Sequence, residues 1–158
     1  MNSAKRNANS LGFRLRSKEL GNSLVIRATV KRQDAGYLFG IVSENEMQLS
    51  DLFLREYVAC PLFPCLGNFS PQIRLQIRSR GIGTAMLKTA IKRARFLGVS
   101  RVVGFVTEND LHTSPFLLSW YRRLGFRIND PSHDSFPKLS REISLSGQDL
   151  FEGRWRTA

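Results

Sequence analysis

Arg78-Ser-Arg-Gly-Ile-Gly-Thr-Ala-Met-Leu87 sets two glycines and two arginines at the mouth of an amphipathic helix. Gly81 and Gly83 remove side chains where a turning main chain has to come close to a ligand. A helix leaves its first amide N–H groups without intrahelical partners, and its dipole adds partial positive charge at that end. Arg78 and Arg80 place fixed charge beside those amides. The turn formed by Arg78, Ser79, Arg80, Gly81, Ile82, Gly83 and Thr84 is therefore expected to cradle phosphate, and a diphosphate suits it best. Other glycine loops fit poorly. A dinucleotide fingerprint needs a third glycine where Met86 stands and an acid about 20 residues on, and a Walker loop needs Gly-Lys-Ser/Thr.

Working outward, the helix itself is predicted over residues 82–97. Leu87, Ala90, Ile91 and Ala94 recur at helical spacing, while Lys88, Lys92, Arg93 and Arg95 fall on the side expected to face water. Gly98 stands where such a helix ends. Arg101–Thr107 is a near-continuous apolar run, as in a central buried strand. Ser114 as N-cap and Pro115 at the first helical position predict a second helix. Its inward stripe is Leu117, Trp120, Tyr121 and Leu124, and Gly125 closes it. Strands follow at 126–128 and 138–145. Upstream, alternation predicts strands at 13–16, 24–31, 37–43 and 47–56, with Gln33-Asp-Ala-Gly36 as a turn. Short connections make these an antiparallel meander, and the whole an α/β domain.

Residues 57–77 interrupt this rhythm. Pro61, Pro64 and Pro71, with Gly67 and Asn68 between them, predict a long inserted loop. Leu62, Phe63 and Phe69 predict that it packs on something rather than remaining disordered. The stretch also holds both cysteines. A zinc site needs about four ligands, and His112 and His133 are remote in sequence, so no metal is implied. Cys60 and Cys65 are read as small apolar packing residues in a reducing compartment.

A chain of 158 residues is expected to form one domain, taken as 12–146, between a flexible basic lead at 1–11 and a tail at 147–158. Its 42% hydrophobic and 23% charged residues match a soluble globular protein. No apolar run approaches the roughly 20 residues of a membrane-spanning helix. The expectation is a cytoplasmic protein, a monomer or homodimer, that does not bind membranes. Twenty-four basic against 13 acidic residues give a net charge of +11, a field that draws anions of every kind. The cations are scattered along the sequence, so nucleic-acid or ribosome binding stays open without a motif to carry it.

Two motifs together resemble a known family. Arg78-Ser-Arg-Gly-Ile-Gly83 resembles the Gln/Arg-x-x-Gly-x-Gly/Ala loop of the GNAT superfamily of acyl-CoA-dependent N-acetyltransferases. Ser114-Pro-Phe-Leu-Leu-Ser-Trp-Tyr-Arg-Arg-Leu-Gly-Phe126 resembles its later helix, usually Asn-x-x-Ala-x-x-x-Tyr-x-x-x-Gly-Phe. They occur in the family's order, and the resemblance covers about residues 24–130 apart from the long loop. It implies a mixed, mostly antiparallel central sheet flanked by helices. It implies acetyl transfer from acetyl-CoA to an amine-bearing acceptor by direct attack. Coenzyme A would lie with its pyrophosphate on residues 78–84 and its pantetheine arm along the backbone of Leu54. Tyr121 would be the general acid that reprotonates the departing thiolate, and Ser114 would lie where the family's Asn meets coenzyme A. Asp51 would be the base that deprotonates the amine, with Glu56 as second choice and Glu108 and Asp110 behind it.

The sequence departs from that pattern in three places. Ser114 replaces the usual Asn, and Leu117 the usual Ala. The pair of helices common between the family's first two strands has no room, since about seven residues separate Arg16 from Leu24. The inserted loop at 57–77 is expected to stand in for them over the acceptor, or else to form a dimer contact. Two other classes stay open: a basic RNA- or ribosome-associated module without catalysis, and a regulatory coenzyme A sensor.

Overall fold

The fold is given by a computed structural model that describes residues 12–62, 64–129 and 140–146. The expected lead and tail, Phe63 and His133 lie outside them. The strands are β1 (Phe13–Leu20), β2 (Ser23–Val30), β3 (Gln33–Val42), β4 (Glu46–Leu54), β5 (Tyr57–Pro61), β6 (Gln72–Gln76), β7 (Arg101–Thr107), β8 (Arg127–Asn129) and β9 (Ser140–Ser146). The helices are α1 (Ile82–Phe96), α2 (Glu108–Thr113) and α3 (Leu117–Arg123), with a 3-10 turn at Pro64–Phe69. Among the described residues, seven strands share one sheet in the order β1-β2-β3-β4-β7-β9-β8, and β5 and β6 form a second, two-stranded sheet. The β4–β7 ladder is parallel over Glu46–Leu49 and Arg101–Gly104, whereas β1–β2, β7–β9 and β8–β9 are antiparallel. The expected mixed, mostly antiparallel sheet is the one found.

Tight turns make the meander. β1 passes to β2 through Gly21 and Asn22, with Gly21 at φ 59, so no helix separates these strands. The next turn is a correction. Gln33-Asp-Ala-Gly36 lies inside β3, and the reversal is made by Lys31 and Arg32 at φ 47 and 70. A two-residue hairpin wants left-handed backbone at both positions, and Lys-Arg supplies neither glycine nor asparagine, so propensity pointed elsewhere.

The chain divides into two compact units, each with its own core. The first comprises the described residues up to Phe39 and from Asp51 to Ala90; the second comprises Gly40–Ser50 and the described residues from Ile91 onward. In the first, Leu24, Ile26, Ala28 and Val30 form the buried face of β2, with Leu38, Ile77, Ile82, Met86 and Leu87 also fully buried. In the second, Met47, Val102, Val106, Ile143 and Leu145 are buried. Each fully buried aliphatic side chain of this size stabilises by about 1.5–3 kcal/mol.

The inserted segment is not an irregular loop. β5 and β6 form an antiparallel hairpin from Tyr57↔Gln76 to Pro61↔Gln72, closed at its tip by the Leu62 amide donating to the Pro71 carbonyl at 2.8 Å. The prolines sit where a ladder tolerates them, at the last residue of β5 and just before β6. Val58 and Cys60 are buried, whereas Cys65 is exposed, so the packing role holds for Cys60 alone; both thiols are free.

The second predicted helix is shorter than expected, Leu117–Arg123, and a helix not expected from the sequence, Glu108–Thr113, precedes it. Thr107 caps α2: its hydroxyl accepts from the Asp110 amide while the Asp110 carboxylate accepts from the Thr107 amide at 2.8 Å. This reciprocal box starts a helix seven residues before Ser114. Ser114 is therefore the C-cap of α2, and its amide donates to the Asp110 carbonyl at 2.8 Å. Phe116, not Ser114, precedes α3, and no side chain caps it.

Candidate functional site

Within the first unit the turn expected to hold phosphate runs straight into α1, with Gly83 already inside the helix. Ser79 and Gly81 both take left-handed backbone, at φ 64 and 76. Gly81 is the residue before α1, and its carbonyl accepts the Ala85 amide at 2.9 Å. A side chain added at Gly81 would point into open space, so the approach is clear. No acceptor among the described residues takes the amides of Arg80, Gly81, Ile82 or Gly83. Arg78 and Arg80 are exposed, and α1 carries no acid in its first turn to compete for those donors. Of the four cations read as outward on α1, Lys88 and Lys92 are exposed. Arg93 and Arg95 are half-buried, with Arg93 over the Phe96 ring at 4.7 Å. Arg95 lies four residues after Ile91 and so on the flank of the buried stripe.

The base of the inserted hairpin joins two parts of the site that are distant in sequence. The Ile77 amide donates to the Glu56 carbonyl at 2.8 Å, so the chain returns to the end of β4 immediately before Arg78. Leu54, the last residue of β4, is thereby brought to the same end as the turn at 78–84. Opposite it, a Cβ at Gly36 would strike the Phe53 carbonyl and the Leu54 Cα. Only glycine lets β3 lie this close. Burial along β4 alternates through Met47 and Leu49 and resumes one position late at Leu52 and Leu54, as when a strand carries an extra residue.

Asp51 lies in that part of β4. Its Oδ2 accepts a 2.6 Å hydrogen bond from the Tyr37 hydroxyl of β3, and both side chains reach solvent. The bond to Asp51, then its charge, hold the Tyr37 phenol above its ordinary pKa. Sequence reasoning missed Tyr37, because only the strand register places it against a residue 14 positions away. Glu56, the second candidate base, is past the end of β4 and not on a strand face.

In the second unit Tyr121 lies on α3 and is buried, 7% exposed, with its ring set edgewise to Trp120 and Phe126 at 4.7 and 5.3 Å. Burial, with the Asp110 charge second, pushes its phenol up to about 12. The hydroxyl therefore keeps its proton through the whole physiological range. Leu124 is buried beside it in the stripe, and Gly125 ends the helix at φ 83. Ser114 is half-buried, and its carbonyl accepts from the Leu117 amide at 3.0 Å. Asp110 is committed to the Thr107 cap, and Glu108 is exposed on the first turn of α2.

Neither a protein-family model nor a curated protein sequence matches the chain. Solved structures do. PaiA N-acetyltransferase from Thermoplasma acidophilum, in complex with coenzyme A, matches with a TM-score of 0.55 at 15% identity, over 79% of this chain and 61% of its own. A GNAT family acetyltransferase from Elizabethkingia anophelis with acetyl-CoA bound matches at 0.56 and 12%, over 85% of this chain and 97% of its own. The ribosomal-protein-S18-alanine N-acetyltransferase from Escherichia coli matches at 0.51 and 16%, over 80% and 68%. The chain thus spans about three fifths of the Thermoplasma enzyme and nearly all of the Elizabethkingia one.

Proposed function

We propose that this chain, which has the fold of the GNAT acetyltransferases, is an acetyl-CoA-dependent N-acetyltransferase acting on a primary amine. The observation that carries the reading is the turn at 78–84, whose glycine approach is open and whose first amides are unclaimed. Those features fit a diphosphate. Arg80, Gly81, Ile82, Gly83 and Thr84 would hold the coenzyme A pyrophosphate through the main chain, with Arg78 and Arg80 adding charge and Ser79 shaping the turn. The backbone of Leu54 would bind the pantetheine arm, and Ser114 would contact the cofactor from α2's end. When bound, acetyl-CoA supplies an acetyl group activated as a thioester.

The chain's own chemistry is proton handling. Asp51 would take a proton from the acceptor amine at the Oδ atom not engaged by Tyr37. Tyr121 would hold a proton at Oη for a leaving thiolate. A phenol at about 12 is too weak to protonate a separate thiolate whose thiol has a pKa near 8.5, so donation has to be concerted with bond cleavage. Exposed Leu62 and Phe69 of the inserted hairpin would cover the acceptor. The test is calorimetry with coenzyme A beside thiol release from acetyl-CoA across a panel of amines. Saturable heat and amine-dependent thiol release are expected; the absence of heat sinks the reading.

A further inference from the structure

The outer face of the β1–β2 hairpin gathers cations that the sequence scatters. In the antiparallel register, Arg14 faces Thr29, Arg16 faces Arg27 and Lys18 faces Val25. These residues alternate with the buried face of β2, so they share the opposite surface. Lys31 and Arg32 add two more cations from the next turn. Together the six border a groove of about 1000 Å³. All six are exposed, and none is ion-paired among the described residues. Asp34, the one acid lining the groove, already faces Arg55 at 3.8 Å.

Arg16 directly opposite Arg27 is the informative pair. Cross-strand neighbours have Cβ atoms about 5 Å apart, and like charges there destabilise a sheet. Neither guanidinium faces an acid in that register, so anions bound along the row would relieve the pair beyond what solvent does. From Arg14 to Lys18 the row runs about 14 Å at about 3.4 Å per residue, long enough to meet several successive phosphates of one strand. Four of the six cations are arginines, which grip phosphate bidentately. No aromatic ring lines the groove for bases to stack on, and no Asn or Gln lines it to read base edges. The uncharged polar side chain on this face is Thr29, whose hydroxyl suits a ribose 2′-hydroxyl.

We infer that this groove is a docking site for the phosphate backbone of double-stranded RNA, held without regard to sequence. The site is separate from the phosphate turn and independent of acetyl transfer.

The test is fluorescence anisotropy of the intact protein with a labelled RNA duplex, across a salt series. Arg16→Gln/Arg27→Gln should weaken binding at least tenfold near 0.1 M salt. It should also flatten the log–log salt slope by about 1.8, since each lost phosphate contact is worth about 0.9. Lys92→Gln/Arg122→Gln removes the same charge from exposed helix positions and should change affinity less than threefold. The melting temperature of the groove variant should hold or rise, because a like-charge pair has been relieved. Equal loss from both double variants would reduce the effect to net charge and overturn the site. So would undetectable RNA binding, or tighter binding of a DNA duplex, polyglutamate or phosphatidylserine vesicles than of the RNA.

Discussion

The Tyr37 hydroxyl donates to Asp51 Oδ2 at 2.6 Å across the β3–β4 pair. A bond this short to a carboxylate is charge-assisted, roughly twice as strong as a neutral one, and it holds one oxygen in a fixed direction. The other oxygen is not engaged by Tyr37. If Asp51 is the base, Tyr37 is its positioning partner.

Asp51→Asn is expected to lower kcat/KM for the amine about a hundredfold, the usual scale of a lost general base. Tyr37→Phe should cost about tenfold, and the double variant no more than Asp51→Asn alone, because the two act as one unit. Thiol-release kinetics check this. A loss under twofold for Asp51→Asn would remove it from the mechanism.

For Tyr121 the sign of the pH effect follows from its raised pKa. The folded phenol titrates at about 12, whereas the unfolded one titrates near 10. Between those values the unfolded state loses its proton first, so stability present below pH 10 falls as pH rises towards 12. The loss is on the order of 2 kcal/mol over that window. Tyr121→Phe should flatten it in denaturant melts while lowering kcat at neutral pH and leaving the coenzyme A Kd nearly unchanged. A parallel pH slope in wild type and variant would contradict the buried phenol.

Gly81 and Gly98 form a matched pair at the two ends of α1. Both are left-handed, at φ 76 and 78, and both face open space. Alanine at either position incurs about 1 kcal/mol of backbone strain and lowers the melting point. Only Gly81→Ala is expected to weaken coenzyme A, by tenfold or more, as measured by calorimetry. Equal affinities in the two variants would detach the turn from the cofactor.

The inserted hairpin should be tested at its surface, not by deletion, since Val58, Cys60 and Ile77 are buried and removing them would unfold the unit. Phe69 is 93% exposed and Leu62 is 47% exposed. Leu62→Ser/Phe69→Ser should preserve the melting temperature, raise the acceptor KM at least fivefold and leave the acetyl-CoA KM unchanged. A shift in sedimentation with unchanged kinetics would assign the surface to self-association instead.

The sequence by itself determined the elements whose physics is local. The glycine turn and α1 follow from backbone freedom and a 3.6-residue period, and β7 follows from its unbroken apolar run; the structure has all three where they were expected. Helix onset at Thr107 is equally local, since Thr107-Glu-Asn-Asp110 sets a hydroxyl and a carboxylate three residues apart, the spacing of a reciprocal cap.

Tertiary structure alone decided the pairings. Tyr37 meets Asp51, Arg16 meets Arg27, and Ile77 returns to Glu56 because strands align in one register, and a shift of one residue would turn every side chain to the other face. Register is fixed by the summed burial of whole strands and by turns such as Lys31-Arg32 that violate their own propensity. No window of sequence contains that sum, which is why scattered cations became one groove and a proline-rich stretch became a hairpin.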